Sequence, residues 1–256
     1  MFDTHVHTMF STDSKMLIED AIISANKKNN QIIITEHMDL KFPREGSFIF
    51  DVEEYFDKYS KYRNNNLLLG VEIGMKDDCI SESREIITAN PFDYVIGSVH
   101  LVDNKDLYYE DFYIGKEKSD SYNKYLNCML SCIKNFYFVD SMGHIDYIAR
   151  YAHYEDKELY YSDHAQIIDE ILKTLIMNGT CIELNTRRFD KQIAIKNLLP
   201  IYKRYAVLGG KNITVGSDSH TPEAIGNSLN LAKEFAAECK LNIVYFKERK
   251  IEYEKI

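Results

Sequence analysis

Residues 2–8 read FDTHVHT, a short apolar run carrying two imidazoles, His5 and His7, set two apart. In an extended strand, residues two apart project to the same face, so both rings turn the same way. A single strand-borne histidine is more often a hydrogen-bonded core residue than a ligand, and a lone H-x-H decides little. What decides is recurrence. Six further runs follow: QIIITEH (31–37), NLLLGVEIG (66–74), FDYVIGSVH (92–100), FVDSMGHID (138–146), TCIELNT (180–186) and NITVGSDSH (212–220). Their nearly continuous apolar character is that of parallel strands buried on both faces. Segments with helical spacing lie between them. Over 14–30, Met16, Leu17, Ala21, Ile22 and Ala25 make one stripe. Over 163–179, Ile167, Ile168, Ile171, Leu172, Leu175 and Ile176 make another, with Gly179 as its stop. Thr221 and Pro222 predict the N-cap and first turn of a helix running to residue 240. Residues 47–63 predict a loop plus a helix, 101–115 an active-site loop walled by Tyr108, Tyr109 and Glu110, and 243–256 an edge strand or hairpin. Strand–helix units in series predict an α/β fold, either a parallel barrel or a doubly wound sheet.

The polar residues fall in a pattern on these runs. Six of the eight histidines, His5, His7, His37, His100, His144 and His220, stand at or near the C-terminal end of a run; His153 and His164 do not. Glu72 interrupts the third run and Asp218 ends the seventh. In α/β barrels and open sheets, function sits outside the carboxyl ends of the strands, so imidazoles and carboxylates gather at one end. Each residue alone has a bland reading as a satisfied core group or an N-cap. Together, six imidazoles and at least two carboxylates would leave many buried polar groups to satisfy without a metal. Imidazole with carboxylate suits divalent first-row metals, zinc, iron or manganese among them, without choosing one. Asp218 and His220 are again two apart and face one side.

The bulk composition sets limits. The 256 residues are 45% hydrophobic and 28% charged, an ordinary globular balance that reads as one domain, 1–256, with no linker or repeat. Five scattered cysteines, with Cys128 and Cys132 one helical turn apart, read as reduced thiols. No run approaches the length of a membrane span and no leader pattern opens the chain, which predicts a cytoplasmic protein. A net charge of −9 disfavours non-specific nucleic-acid binding. It would also repel an anionic substrate unless the site carries its own positive charge.

The motifs resemble those of the PHP (polymerase and histidinol phosphatase) superfamily of metal-dependent phosphoesterases. The matching phrases are DTHVHT with STDS, TEHMD, GSVH with GHID, and GSDSH, and they span nearly the whole chain. TEHMD, GSVHLVD, GHIDYIARY and IELNT are similar to the stand-alone histidinol-phosphatase branch. That resemblance implies a distorted seven-stranded (β/α)7 barrel and three divalent metal ions. His5, His7, Glu72 and Asp218 would hold the first, and Glu72 would bridge to a second completed by His100 and His144. Asp13, His37 and His220 would hold the third, Asp13 standing where some members carry a histidine. Asp3, Glu36, Asp39, Ser98, Asp146 and Asn185 would orient the imidazoles. Three dications against Asp13, Glu72 and Asp218 make the site cationic, which admits an anionic ester. The implied chemistry is in-line attack of a metal-activated water on phosphorus, with Glu72, Asp218 and His220 as the catalytic set and Asp218, His220 or water serving the leaving alkoxide. Arg150 and Arg187 would bind the phosphate; Arg188 competes with Arg187, and Lys191 and Arg44 are surface candidates. The implied activity is hydrolysis of a small-molecule ester, L-histidinol phosphate, in histidine biosynthesis. The alternatives are a phosphoesterase acting on nucleotides or nucleic-acid ends and a non-catalytic metal-binding module. Oligomeric state is not legible.

Overall fold

The structure is a computed structural model that describes residues 1–254; the last two residues of the predicted tail and of the expected unit 1–256 lie outside the described residues. The strands β1 (Phe2–Val6), β2 (Gln31–Met38), β3 (Leu67–Gly74) and β4 (Tyr94–Ser98) are parallel neighbours in sequence order. β5 (Leu101–Val102) and β6 (Lys105–Asp106) form a separate antiparallel hairpin. The main sheet continues through β7 (Ser141–Met142), β8 (Cys181–Asn185) and β9 (Asn212–Gly216). β9 then meets β1: Val6 bridges Ser219 in parallel, and the His7 N–H donates to the Ser219 carbonyl at 2.8 Å. The seven runs thus close into a ring at their C-terminal ends. At the N-terminal end, β9 pairs instead with β10 (Asn242–Lys247), which turns back antiparallel as β11 (Lys250–Tyr253). This inserted hairpin is the distortion of the barrel, and it is the hairpin option of the two predicted for the tail.

The hairpin plugs one end. Val244 and Phe246 pack with Phe2, Ile33, Leu68, Tyr94 and Cys181 in a cluster inside the ring. Above it lies a polar layer in which the Thr214 hydroxyl joins those of Ser141 (2.9 Å) and Tyr94 (3.1 Å). The top layer holds His5, Glu72 and Glu183. Strict alternation from Phe2 would send His5 outward. A register shift between Asp3 and Val6 prevents this, since an irregularity in the ladder reverses the facing of the residues beyond it. Phe2 and His5 therefore both face inward, while Val6 joins the outer core.

Among the described residues, eight α-helices build that outer core: α1 (Ile18–Lys27), α2 (Val52–Tyr59), α3 (Ile80–Ala89), α4 (Lys118–Asn135), α5 (Ile148–Tyr151), α6 (Ala165–Asn178), α7 (Gln192–Val207) and α8 (Leu229–Cys239). α6 buries Ile168, Ile171, Leu172 and Leu175 and stops at Gly179, whose φ of 72° is the left-handed value that glycine adopts freely. Three boundaries differ from expectation. Helix α1 starts only at Ile18, leaving Leu17 outside it and exposed. The fifth run keeps two residues of strand, although Asp140 and Gly143 still donate to Val95 and Gly97. Thr221 and Pro222 open a short 3-10 turn instead of α8, which begins at Leu229. The cause is Asp3, whose carboxylate accepts the backbone N–H groups of Ser217 and Gly226, both at 2.7 Å, and so holds 217–226 as a loop.

The plug is tied to the ring by Arg249, whose Nε donates to buried Asp140 at 2.5 Å and whose Nη2 donates to the Phe138 carbonyl. Burial pushes the Asp140 carboxyl up to about 6 from 3.8, with Arg249 and the Val95 N–H pulling the other way. The fold thus holds this proton more tightly than the unfolded chain does. The group's stabilising contribution is complete below 3.8 and is lost as pH rises through about 6. Arg249 limits the loss only where Asp140 is ionised. Arg249→Ala is expected to cost about 2 kcal/mol at pH 8 and less than half of that at pH 5, read by urea unfolding at each pH.

Candidate metal centre

Glu72 is fully buried and faces into the ring from β3. In the β2–β3 register it stands directly opposite His37, and the strand ends around the ring bring four more imidazoles to it. Its Oε2 lies 2.9 Å from His37 Nδ1, 3.2 Å from His5 Nε2 and 3.5 Å from His7 Nε2; its Oε1 lies 3.0 Å from His144 Nε2 and 3.3 Å from His100 Nε2. Asp218 faces the same space, its Oδ1 3.6 Å from His7 Nε2 and 3.9 Å from His5 Nε2. It sits at φ 54°, a left-handed value uncommon outside glycine. At the rim, Asp13 lies 3.1 Å from His220 Nε2 and 3.7 Å from His37 Nε2. The structure therefore brings all nine sequence-derived ligand candidates into one cluster. Neither His153 nor His164 joins it: the ring of His153 lies by Tyr113 and His164 bonds Asn123.

Outer contacts fix the rings. His5 Nδ1 lies 2.7 Å from Glu183 Oε1, a contact that orients the ring and turns Nε2 toward the cluster. Glu183 Oε2 also accepts the His144 backbone N–H at 2.8 Å and the Asn185 amide at 3.1 Å. His100 Nδ1 pairs with Asp39 at 2.8 Å, and His7 Nδ1 reaches Glu36 through the Ser11 hydroxyl. Of the other residues expected to orient imidazoles, Asp3 holds the loop after β9, Asp146 pairs with Arg188, and the Ser98 hydroxyl has no partner. Asn185 reaches Asp218 at 3.3 Å. The sequence motifs do not single out Glu183, although it interrupts the apolar run TCIELNT as Glu72 interrupts GVEIG. The space that His5 and Glu183 share depends on Gly216. A Cβ there would lie 2.3 Å from that of His5 and 2.5 Å from Glu183 Oε1.

Burial alone would depress the imidazoles and raise the carboxylates. At Glu72 it is overcome by His5, His100 and His37, which hold the carboxyl well below its ordinary range. At His37 it is overcome by Glu72, Asp39 and Asp13, which raise the ring to about 10, and His5 and His100 are likewise raised by their carboxylates. His7 moves the other way, through burial and the neighbouring His37, His220 and His5. Protons thus balance the charge of the metal-free cluster. Even so, His5 Nε2, His7 Nε2, His220 Nε2 and Glu72 Oε2 are buried without hydrogen-bond partners. Four overlapping groups have ligand atoms within 4.8 Å of one another: His5, His7 and Asp218; Glu72, His100 and His144; His7, His37 and His220; and His37, Asp39 and His100. Nitrogen and carboxylate donors converging with unpaired atoms fit divalent metal ions.

The cluster forms the floor of a cavity of about 590 Å³ that His37, His100, His220 and Arg187 help to line. Arg187 is 39% exposed and commits only Nη1, to Asp218 and His220. Arg150 is buried, with Nη1 2.5 Å from Asp218 Oδ2 and Nε unpartnered. Arg188 is neither a surface residue nor a cavity residue, since its guanidinium is buried between Asp146 and Glu158. Arg44, Tyr108 and Tyr109 line the cavity, whereas Lys191 is exposed away from it.

The model of the PHP domain family matches residues 3–187. This chain belongs to the PHP domain family. PHP relatives extend the likeness beyond residue 187. A probable histidinol-phosphatase of Clostridium acetobutylicum is 47% identical over 99% of both chains. A histidinol-phosphatase of Lactococcus lactis is 33% identical over 90% of this chain and 88% of its own. The crystal structure of histidinol phosphate phosphatase from Lactococcus lactis, complexed with zinc, L-histidinol and phosphate, superposes with a TM-score of 0.92. It is 31% identical and covers 98% of each chain. The distorted barrel of this chain is thus the PHP barrel. Among the described residues, no helix of this PHP chain is long and apolar enough to cross a membrane, and all five cysteines are free thiols.

Glu183 supplies a test of how the PHP centre is oriented. Glu183→Gln keeps the shape but removes the charge that holds His5, and is expected to weaken zinc binding by about 10- to 100-fold. Competition against a chromophoric chelator reads this directly, with circular dichroism confirming the fold.

Proposed function

We propose that this chain is a histidinol phosphatase that hydrolyses L-histidinol phosphate to L-histidinol and phosphate in cytoplasmic histidine biosynthesis. We further propose that it works as one domain, with a small-molecule substrate and no nucleic acid. The observation that carries the reading is the convergence of five imidazoles on Glu72 at the floor of a cavity reached by Arg187. The 47% identity with a probable histidinol-phosphatase supports the substrate.

In this reading three divalent ions bind. His5, His7, Glu72 and Asp218 would hold one; Glu72, His100 and His144 a second; Asp13, His37 and His220 a third. When bound, such ions supply a nucleophile from water near neutral pH and withdraw charge from phosphate oxygens. The chain's own groups do the rest. Glu72 would be the ligand common to two of the ions. Arg187, with Nε and Nη2 uncommitted, takes phosphate oxygens as a guanidinium fork; Arg150, the second guanidinium of this reading, stands behind the cavity lining with Nη1 on Asp218. Burial acts against the ionised form of Asp218, but Arg150, His5 and Arg187 keep its carboxyl well below its ordinary range. Asp218 is therefore held ionised, as a ligand with no proton to give, which leaves His220 or water to protonate the departing alkoxide.

The test is phosphate release by protein loaded with zinc, iron or manganese. L-Histidinol phosphate is expected to exceed nucleotides and sugar phosphates in kcat/KM by about 100-fold or more, with activity abolished by a chelator and restored by metal. Equal turnover of nucleotides would overturn the substrate while leaving the chemistry. In the same assay, Arg187→Ala is expected to lower kcat/KM about 10- to 100-fold.

A further inference from the structure

Four carboxylates line the cavity above the metal centre: Asp13, Asp39, Asp106 and Asp111. Three have a cationic or imidazole partner. Asp13 lies against His220 and His37, Asp39 against His100 and His37, and Asp111 against Lys105 at 3.4 Å. Asp106 has none among the described residues. It stands at the end of the β5–β6 hairpin, partly buried, and its side chain accepts only the Tyr108 backbone N–H, at 2.8 Å. A carboxylate withdrawn from water without a cation is costly, and burial raises its pKa. A cationic ligand would offset that cost.

The wall beside it is aromatic. Tyr108 meets Tyr151 at a ring-centroid distance of 5.0 Å, Tyr151 meets Tyr147 at 5.2 Å, and Tyr147 meets His100 at 5.0 Å. The cavity therefore has an oxyanion-binding end at Arg187 and the metal ligands. An aromatic wall connects that end to a free carboxylate. L-Histidinol phosphate carries the matching groups: a phosphate ester, a primary ammonium and a planar imidazole. We propose that Asp106 is the specificity-determining anchor for the substrate's ammonium group, with the tyrosine wall receiving the ring. This rests on the histidinol-phosphatase reading and adds to it the residue that selects an amine-bearing ester.

The test compares L-histidinol phosphate with its amine-free analogue, 3-(imidazol-4-yl)propyl phosphate, in the metal-loaded enzyme. In Asp106→Asn the ratio of kcat/KM for the amine-bearing ester to that for the amine-free one is expected to fall about 10- to 100-fold. Asp106→Glu, which keeps the charge, should recover part of the ratio. Calorimetric binding of L-histidinol to Asp106→Asn should weaken by a similar factor. An unchanged ratio would overturn the proposal, whether both esters lose activity alike or neither does. Failure of the underlying reading shows separately, because wild-type enzyme would then give L-histidinol phosphate no advantage over nucleotides or sugar phosphates.

Discussion

A single buried carboxylate organises the open end of this barrel. Glu72 has no access to water, and an ion so placed pays a desolvation penalty of several kcal/mol unless charge and hydrogen bonds surround it. Five imidazoles lie within 3.5 Å of it, and His5, His37 and His100, the three raised by their carboxylates, supply that charge. Those imidazoles are buried in turn, and their outer nitrogens need partners: Glu183 for His5, Ser11 and Glu36 for His7, and Asp39 for His100. One charge thus propagates into a shell of committed polar groups. The buried nitrogens left without partners face the space where cations fit.

The fold makes such a shell possible because parallel strands deliver their ends to one rim. The β2–β3 register sets His37 opposite Glu72, the shift in β1 turns His5 inward above Phe2, and the absence of a side chain at Gly216 admits the His5–Glu183 pair. The hairpin of β10 and β11 fills the opposite end with Val244 and Phe246, so the ring is a packed core below and a polar floor above. The cavity opens at the rim, where Arg187 and the tyrosines stand.

Much of this was legible in the chain. The two-residue spacing of His5 and His7 held in three dimensions, and the alternation of apolar runs with helical stripes specified the seven strands and, of the helices, α1, α2, α6 and the later part of α8. What escaped depended on partners far away in sequence. Glu183 meets His5 across 178 positions, and nothing local marks that contact except a charge in an apolar run. The delayed start of α8 follows from Asp3 capturing the Gly226 N–H, 223 positions on. Arg188 and Arg187 are adjacent and chemically alike. Only the fold separates them, burying one between Asp146 and Glu158 and leaving the other in the cavity. Asp106 could not be told from Asp111 without knowing that Lys105 takes the latter.

The most direct measurement of the central claim is the metal content of Glu72→Gln beside the wild type, by inductively coupled plasma mass spectrometry on protein loaded with zinc and then desalted. If Glu72 joins two ions in one centre, the wild type retains three ions per chain and the variant no more than one, with both chains folded. A folded variant that still retains three would contradict the account, because the carboxylate on which the histidines converge would then hold nothing together.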